Sequence, residues 1–397
     1  MIARLAQRMI AETHPRLLWK FIYNFGWKGM RALWRFHSRL ARGNVFPAFL
    51  FLSVTNRCNL RCQGCWVTPT DPPVQLSLAT MDHVVTEAKR QGCYFYGILG
   101  GEPLMHPRIF DLIALHPDCY FQLFTNGTQI TDEVAAKMHK LGNVSPLISI
   151  EGNETISDVR RGGSGVYRRS LQGIALCRQC RLITGVATTV CRSNIDDLVS
   201  DTFLKELIER GVHYVWFHLY RPVGANPCPE LALTSEQILS VRRFLVGARC
   251  RFPLIIVDAY WDHEGKALCP AATGISHVVN PKGDIEPCPV IQFAKENVAD
   301  DANLSRLLMG SAFLAGFRRL AAETTRGCIL LERPDALLKF LQQEDVRDTS
   351  GRNVGFAELV QMRPRPSHHL PGSEIPERHP LYRFVKKYWF FGFGGYG

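Results

Sequence analysis

Cys58, Cys62 and Cys65 stand in the run Cys-Asn-Leu-Arg-Cys-Gln-Gly-Cys, directly after an apolar stretch that reads as a strand. Three thiolates on one short loop can converge on one iron–sulfur cube and leave its fourth iron without a cysteine. An iron left open in this way can take a small chelating ligand, as an open position does at any catalytic metal. A structural zinc loop is the alternative. Zinc in structural sites takes four protein ligands, and no fourth Cys or His lies nearby in the sequence.

A second, sparser set follows. Cys269 is followed by thirteen residues, then Gly283, then four residues, then Cys288, and the next cysteine is Cys328. Cys93, Cys119, Cys177, Cys180, Cys191 and Cys228 share no pattern. Cys177 and Cys180 make a lone C-x-x-C inside a helix-like stretch, which reads as packing. Thirteen cysteines is an odd number. No apolar leader with a small-residue cleavage site precedes them, so a secretory signal is not expected. In a reducing compartment clustered cysteines are more often metal ligands than disulfides.

The elements that must position these residues can be read from the alternation of patterns. Strand-like runs lie at Phe49–Thr55, Tyr94–Leu99, Tyr120–Thr125, Leu147–Glu151, Leu182–Val190, His213–Leu219 and Leu254–Asp258. Helix-like stretches lie between them at Ser77–Gln91, Arg108–Leu115, Thr131–Leu141, Tyr167–Arg178, Asp196–Arg210 and Thr234–Val246. Strand and helix repeated this often predict an α/β fold with a parallel sheet, whose site sits at the C-terminal ends of its strands.

The triplet after the first strand resembles the signature of the radical S-adenosylmethionine (radical SAM) superfamily, and further signals fit that family in order. Gly100-Gly101-Glu102-Pro103, ending the second strand, resembles its GGEP element, in which backbone and acid hold the methionine amino group. Glycines there permit close backbone approach, and a carboxylate can pair with an ammonium. Thr125-Asn126-Gly127 ends the third strand, and Ser149 and Glu151 end the fourth; the resemblance places them toward the ribose and methionine. Arg161, followed by Gly162-Gly163-Ser164-Gly165, resembles the family's Arg-Gly segment near the methionine carboxylate, and Arg160 is an equal candidate. Thr189 and Asn194 flank the end of the fifth strand, and Tyr220–Gly224 follows the sixth. Many relatives carry an aromatic before the third cysteine; here that place is Gly64, with Trp66 after the triplet as the candidate for the adenine contact.

Cys269 and Cys288 resemble the opening of the SPASM and twitch extensions, which bind auxiliary iron–sulfur clusters. The long C-x2-C-x5-C-x3-C run of a full SPASM domain is absent. The resemblance therefore implies one auxiliary cluster on Cys269, Cys288 and Cys328. Its fourth ligand stays open between Cys250, a histidine such as His277, an exogenous group and the substrate. The implied fold is a partial (βα)6 TIM-like barrel over 46–260. It carries a basic helical segment at 1–45, a SPASM/twitch-like region at 261–342, and a loop-rich extension with an aromatic tail at 343–397. The implied activity is reductive cleavage of S-adenosylmethionine at a 4Fe-4S cluster, then hydrogen abstraction, as an oxidoreductase or transferase, from a peptide, protein, lipid or small molecule. An external one-electron reductant is implied as well, because cluster potentials span about −700 to +450 mV and this cleavage needs the low end.

Composition narrows the rest. The chain has 397 residues, is 46% hydrophobic and 21% charged, and carries a formal charge of +11. These values exclude a disordered or collagen-like chain. No run of 18 apolar residues suggests a membrane span. Nine Lys/Arg against the single acid Glu12 fall within residues 1–43, among Trp19, Phe21, Tyr23, Phe25, Trp27, Trp34 and Phe36. This predicts one or two amphipathic helices, kinked at Gly26 and Gly29. Each Lys/Arg near an anionic bilayer adds about 1 kcal/mol, so peripheral attachment of a cytoplasmic protein to the inner membrane face is an expectation. The aromatic tail at Tyr388–Phe393 would add an interfacial contact. No base-reading module is visible, so nucleic-acid binding is not expected. The rival from another class is a non-catalytic, metal-binding, membrane-associated module.

Overall fold

The apolar runs order themselves into one mixed sheet. The computed structural model describes residues 2–388. Seven strands follow the sequence: β1 Phe49–Ser53, β2 Phe95–Leu99, β3 Tyr120–Thr125, β4 Val144–Ser149, β5 Gly185–Val190, β6 Tyr214–Leu219 and β7 Ile255–Val257. All seven are parallel and adjacent in chain order. Parallel strands covered on both faces need continuous apolar runs, and β2 is buried at all five positions.

The sheet does not stop at residue 260. β8, Ser276–Val279, pairs parallel with β1, and β9, Ile285–Glu286, pairs antiparallel with β8. The result is an open nine-stranded sheet with the order β7-β6-β5-β4-β3-β2-β1-β8-β9. The region carrying the second cysteine set is thus bonded directly onto the edge of the strand that leads into the first.

Eleven helices precede β7. Three lie in the N-terminal segment: α1 Ile2–Glu12, α2 Pro15–Lys20 and α3 Lys28–Leu40. The connections of the sheet carry α4 Leu78–Arg90, α5 Ile109–Leu115, α6 Asp132–Leu141, α7 Glu154–Arg161, α8 Val166–Gln179, α9 Ile195–Leu198, α10 Asp201–Glu209 and α11 Ser235–Arg251. The stretch expected as one helix at 196–210 is divided into α9 and α10, with Ser200 accepting from Phe203 N as the new N-cap. Past β9, two consecutive helices, Leu304–Gly310 and Ala312–Thr324, are capped by Asn303 and Ser311. The extension from 343 contains a two-residue strand at Arg347–Asp348 and helices Gly355–Gln361 and Pro380–Tyr388. The aromatic tail read at Tyr388–Phe393 lies, beyond Tyr388, outside the described residues.

The N-terminal segment lies across the end of the sheet at which the strands begin. Between α2 and α3 the chain widens into a π-helical turn, Phe21–Trp27, rather than breaking at Gly26. Phe21 stacks on Phe25 at 4.8 Å and meets Tyr120 edge-on at 5.4 Å, and Phe25 meets Phe95 at 5.0 Å. Buried Asn24 donates to the carbonyls of Pro117 and Cys119. Helices that cover a parallel sheet end where the strands start, leaving unpaired carbonyls and a negative dipole end there. The basic residues supply what those ends lack. Arg8 donates to Val212 O and Pro253 O, Arg16 to Lys140 O, Lys20 to Leu141 O, Lys28 to Asp118 O and Arg39 to Gln91 O. A large part of the charge read as membrane-seeking therefore serves the fold. Among the described residues no helix is long and apolar enough to cross a membrane.

His213 sits at this junction, with Nε2 3.3 Å from Thr13 Oγ1 and Nδ1 accepting from Thr184 N at 3.2 Å. Burial pushes its pKa down from 6.5 to about 4. Between those two values the unfolded chain binds a proton that the folded chain refuses, so stability falls as pH drops through this window. Up to about 3 kcal/mol is at stake from this one imidazole. Denaturant unfolding at pH 7 and pH 4.5 checks this: His213→Gln should flatten the acid loss by that amount, and an unchanged slope would refute it.

Candidate active site

The triplet, Glu102, Asn126 and Glu151 each follow a strand, and Arg161 ends α7. The cysteine triplet occupies the irregular loop after β1. Four neighbouring loops brace it. From the β2 end, Gly101 N donates to Thr55 O at 2.7 Å and Glu102 N to Arg57 O at 2.8 Å. A Cβ on Gly101 would lie 2.3 Å from Arg57 O, so only glycine allows this approach. From the β3 end, Asn126 Nδ2 donates to Asn59 Oδ1 at 2.9 Å. From the end of α7, Arg160 O accepts from Gln63 N, and Gly162, at φ +67°, packs its Cα over Arg61 O. From the loop after β6, Asn226 O accepts from Gly64 N at 2.7 Å, Tyr220 covers Gly64, and Gly224 lies against Cys65 O.

The absence of an aromatic at Gly64 has a physical reason. Its φ is +70°, and a Cβ there would stand 2.4 Å from the Tyr220 ring. Tyr220 occupies the space an aromatic at 64 would need. Trp66, half-buried beside the triplet, remains the candidate for an adenine contact.

Both acids are held by neighbouring donors. Glu102 is fully buried, and its oxygens accept from Leu104 N at 3.0 Å, Thr125 Oγ1 at 2.7 Å and Asn126 N at 2.8 Å. Burial raises its pKa despite these bonds. Its carboxylate ties the β2 end to the β3 end, and an ammonium would meet mainly the backbone of Gly100–Pro103. Glu151 is similarly engaged: Arg161 Nη2 donates to Oε1 at 2.5 Å and Thr189 N to Oε2 at 3.0 Å. Asn194 spends its amide on Glu151 O, Thr189 O and Cys191 N. Asn194 and Thr189 thus secure Glu151, which secures Arg161. Ser149 ends β4, half-buried.

Arg161 is the cation at the triplet. Its Nη1 points to Cys62 Sγ at 3.8 Å, and its buried Nε has no partner. The Glu151 carboxylate and the Cys62 thiol push its pKa further up against burial. Arg160 is also buried, with Nε and Nη1 unpartnered and its guanidinium 4.7 Å from the Tyr220 ring centroid. Two buried guanidiniums with free N–H groups are suited to an anionic carboxylate.

The donor set fits an iron–sulfur cube. Burial pushes the Cys58 thiol up to about 11 and the Cys65 thiol up to about 12. Among the described residues no three His, Cys, Asp or Glu side chains converge on a single-ion position. A cube places each ligand at its own corner, so its three thiolates need not share one point. Thiols with raised pKa values must lose protons on binding iron, and Arg161 offsets the charge that results.

The second set comes together from three separate segments. Cys269 precedes a short helix, Cys288 follows β9, and Cys328 precedes the helix Ile329–Glu332. Burial, then the neighbouring thiol, raises the pKa values of Cys269 and Cys288, the latter to about 12. Arg221, two residues past β6, donates from Nε to Cys328 Sγ at 3.4 Å and lies 5.3 Å from the Tyr260 ring centroid. Sequence reading placed Arg221 only within the run Tyr220–Gly224 after the sixth strand and gave it no role beside the second set. Cys250 is exposed on α11, its thiol directed to Val246 O, and is not brought to this set. All thirteen cysteines carry free thiols.

Residues 52–202 match the Radical SAM superfamily. The matched stretch contains the cysteine triplet, Glu102, Glu151 and Arg161. The AdoMet-dependent heme synthase of Methanosarcina barkeri is 28% identical over 43% of this chain and 50% of its own length. The mycofactocin maturase MftC of Mycolicibacterium smegmatis is 26% identical over 74% of this chain and 77% of its own. This chain thus spans only half of the first relative and about three quarters of the second. Among solved structures, SuiB of Streptococcus suis bound to S-adenosylmethionine gives a TM-score of 0.61 at 16% identity, covering 73% of this chain and 72% of that one. Its complex with the precursor peptide SuiA gives 0.59 at 15% identity, covering 71% and 69%. These likenesses show a shared fold.

Proposed function

We propose that Cys58, Cys62 and Cys65 ligate the radical SAM cluster and that the substrate is a peptide or protein side chain. The four-sided bracing of the triplet, with Arg161 aimed at Cys62, carries this reading. When bound, the cluster would supply the electron for reductive cleavage of S-adenosylmethionine. The chain's own groups then position and shield. Gly100–Pro103 offer backbone to the methionine ammonium. Arg161 and Arg160 offer N–H groups to its carboxylate, and Thr125, Asn126 and Trp66 line the nucleoside side. Fixed donors in a water-poor site orient the cofactor without reorganising during reaction.

Cys269, Cys288 and Cys328 hold one auxiliary cluster in this reading, with Arg221 balancing its charge. The maturase MftC and the peptide-bound form of SuiB support a peptide substrate. An external one-electron donor completes the scheme. Anaerobic reconstitution followed by iron and sulfide counts tests it, together with a dithionite assay for 5′-deoxyadenosine. The expected result is iron beyond one cube, reduced in a Cys269→Ala/Cys288→Ala variant that still cleaves S-adenosylmethionine. Iron-loaded protein that forms no 5′-deoxyadenosine would sink the reading.

A further inference from the structure

The N-terminal segment directs many of its cations inward and its largest side chains outward. Trp19, Trp27 and Trp34 are 65, 47 and 54% exposed, and Ile22 and Tyr23 are 52 and 45% exposed. Trp27 and Trp34 stand seven residues apart with Arg31 between them, so they share one helical face. The opposite face of α3 buries Gly29, Ala32, Leu33 and Phe36. Trp19 stacks on Tyr23 at 6.0 Å. Grouped exposed apolar side chains of this size mark an interaction surface.

Charge decides what covers it. Glu12 is the only acid in residues 1–43, and Arg8 holds both its oxygens at 2.9 Å. Arg4, Arg31, Arg35 and Arg42 are exposed. A second copy of this face would set unbalanced cations against one another, whereas an anionic surface supplies the missing countercharge. Tryptophan and tyrosine interleaved with arginine suit the headgroup layer of a bilayer.

We infer that this face docks on an anionic bilayer and holds the catalytic mouth toward water. Beneath this face, Phe21, Asn24 and Phe25 meet Tyr120, Cys119 and Phe95, where β2 and β3 begin; the triplet, Glu102 and Glu151 follow strand ends, and Arg161 reaches Cys62 from the end of α7. Strands of five or six residues separate the two by roughly 16–20 Å. The inference rests on the function proposed above only for the position of the mouth. It brings the substrate in from the aqueous side, as a peptide comes, and not from within the bilayer.

Co-sedimentation of the full chain with phosphatidylcholine vesicles containing phosphatidylserine tests the docking. Binding should fall at least tenfold in W19S/W27S/W34S, weaken with salt, and lose its preference for phosphatidylserine in R31E/R35E. Circular dichroism should show the variants folded, and 5′-deoxyadenosine formation should persist in them. Brominated lipids should quench the bound protein's tryptophan fluorescence by an amplitude that Trp66→Phe leaves unchanged. A wild-type chain that ignores vesicles overturns the docking, and so does a tryptophan-dependent dimer without vesicle binding. Quenching lost with Trp66 overturns the orientation. Vesicle binding with no S-adenosylmethionine cleavage would instead count against the function proposed above alone.

Discussion

Cys62→Ala should abolish 5′-deoxyadenosine formation, to below a thousandth of the wild-type rate, while leaving the fold intact. Cys62 is half-buried in the loop and faces Arg161 Nη1 at 3.8 Å. Loss of its thiol removes one of three corners from the proposed cluster and leaves the guanidinium with Glu151 alone. Two thiolates would not hold the proposed cluster in the position the three would fix. The comparison that matters is Arg161→Gln, which spares the thiols and removes the cation. That variant should still bind iron, because the triplet is untouched, and should bind S-adenosylmethionine at least tenfold more weakly. Anaerobic absorbance, iron content and product assays on both variants separate the roles. Turnover retained by Cys62→Ala would reject the triplet as the cluster site. Unchanged cofactor affinity in Arg161→Gln would leave Arg161 a brace only.

Much of this site was legible because its signals are local. The triplet, the glycines at 100 and 101, and the strand runs each declare themselves within a few residues, and β3 matches its sequence reading at both ends. What escaped depends on contacts across the chain. α7 carries Arg160 and Arg161 but has only Ile156 and Val159 as apolar residues, so no helical stripe betrays it. Its caps, Asn153 and the left-handed Gly162, were its only local marks. β8 is four residues long and becomes a strand by pairing with β1, more than 220 residues away. The charge of Glu102 was legible, but the three donors it accepts from, Leu104 N, Thr125 Oγ1 and Asn126 N, were not. The N-terminal cations looked free because the carbonyls they serve, such as Leu141 O at the end of α6 and Val212 O in the loop after α10, lie far along the chain.

Asp258→Asn should destabilise the folded chain by about 3–5 kcal/mol, the usual cost of removing one partner from a buried ion pair. Asp258 follows β7 and lies in a sealed network with Arg242 and Arg249 of α11, Glu377 and Lys386. None of the five side chains is more than 2% exposed. Three cations share two carboxylates, so the network already holds one uncompensated positive charge. The three cations keep the Asp258 carboxyl far below the usual carboxylate range despite its burial, while burial pulls Lys386 down to about 8. Asparagine at 258 leaves three cations with Glu377 alone. Removing Lys386 as well, in Asp258→Asn/Lys386→Met, returns the balance to one excess charge and should recover more than half of the loss. Lys386 also donates to Trp261 O at 2.7 Å, and Trp261 Nε1 to His368 O at 2.9 Å. The adjoining Ser367 Oγ accepts from Cys328 N at 3.1 Å. A loosened network therefore reaches the second cysteine set. Iron held by Cys269, Cys288 and Cys328 should leave faster to a chelator in Asp258→Asn, while iron at the triplet stays. Equal denaturation midpoints for wild type and Asp258→Asn would show that the five charges are held apart by water in solution and that the C-terminal helix is anchored by Tyr382 and Val385 instead.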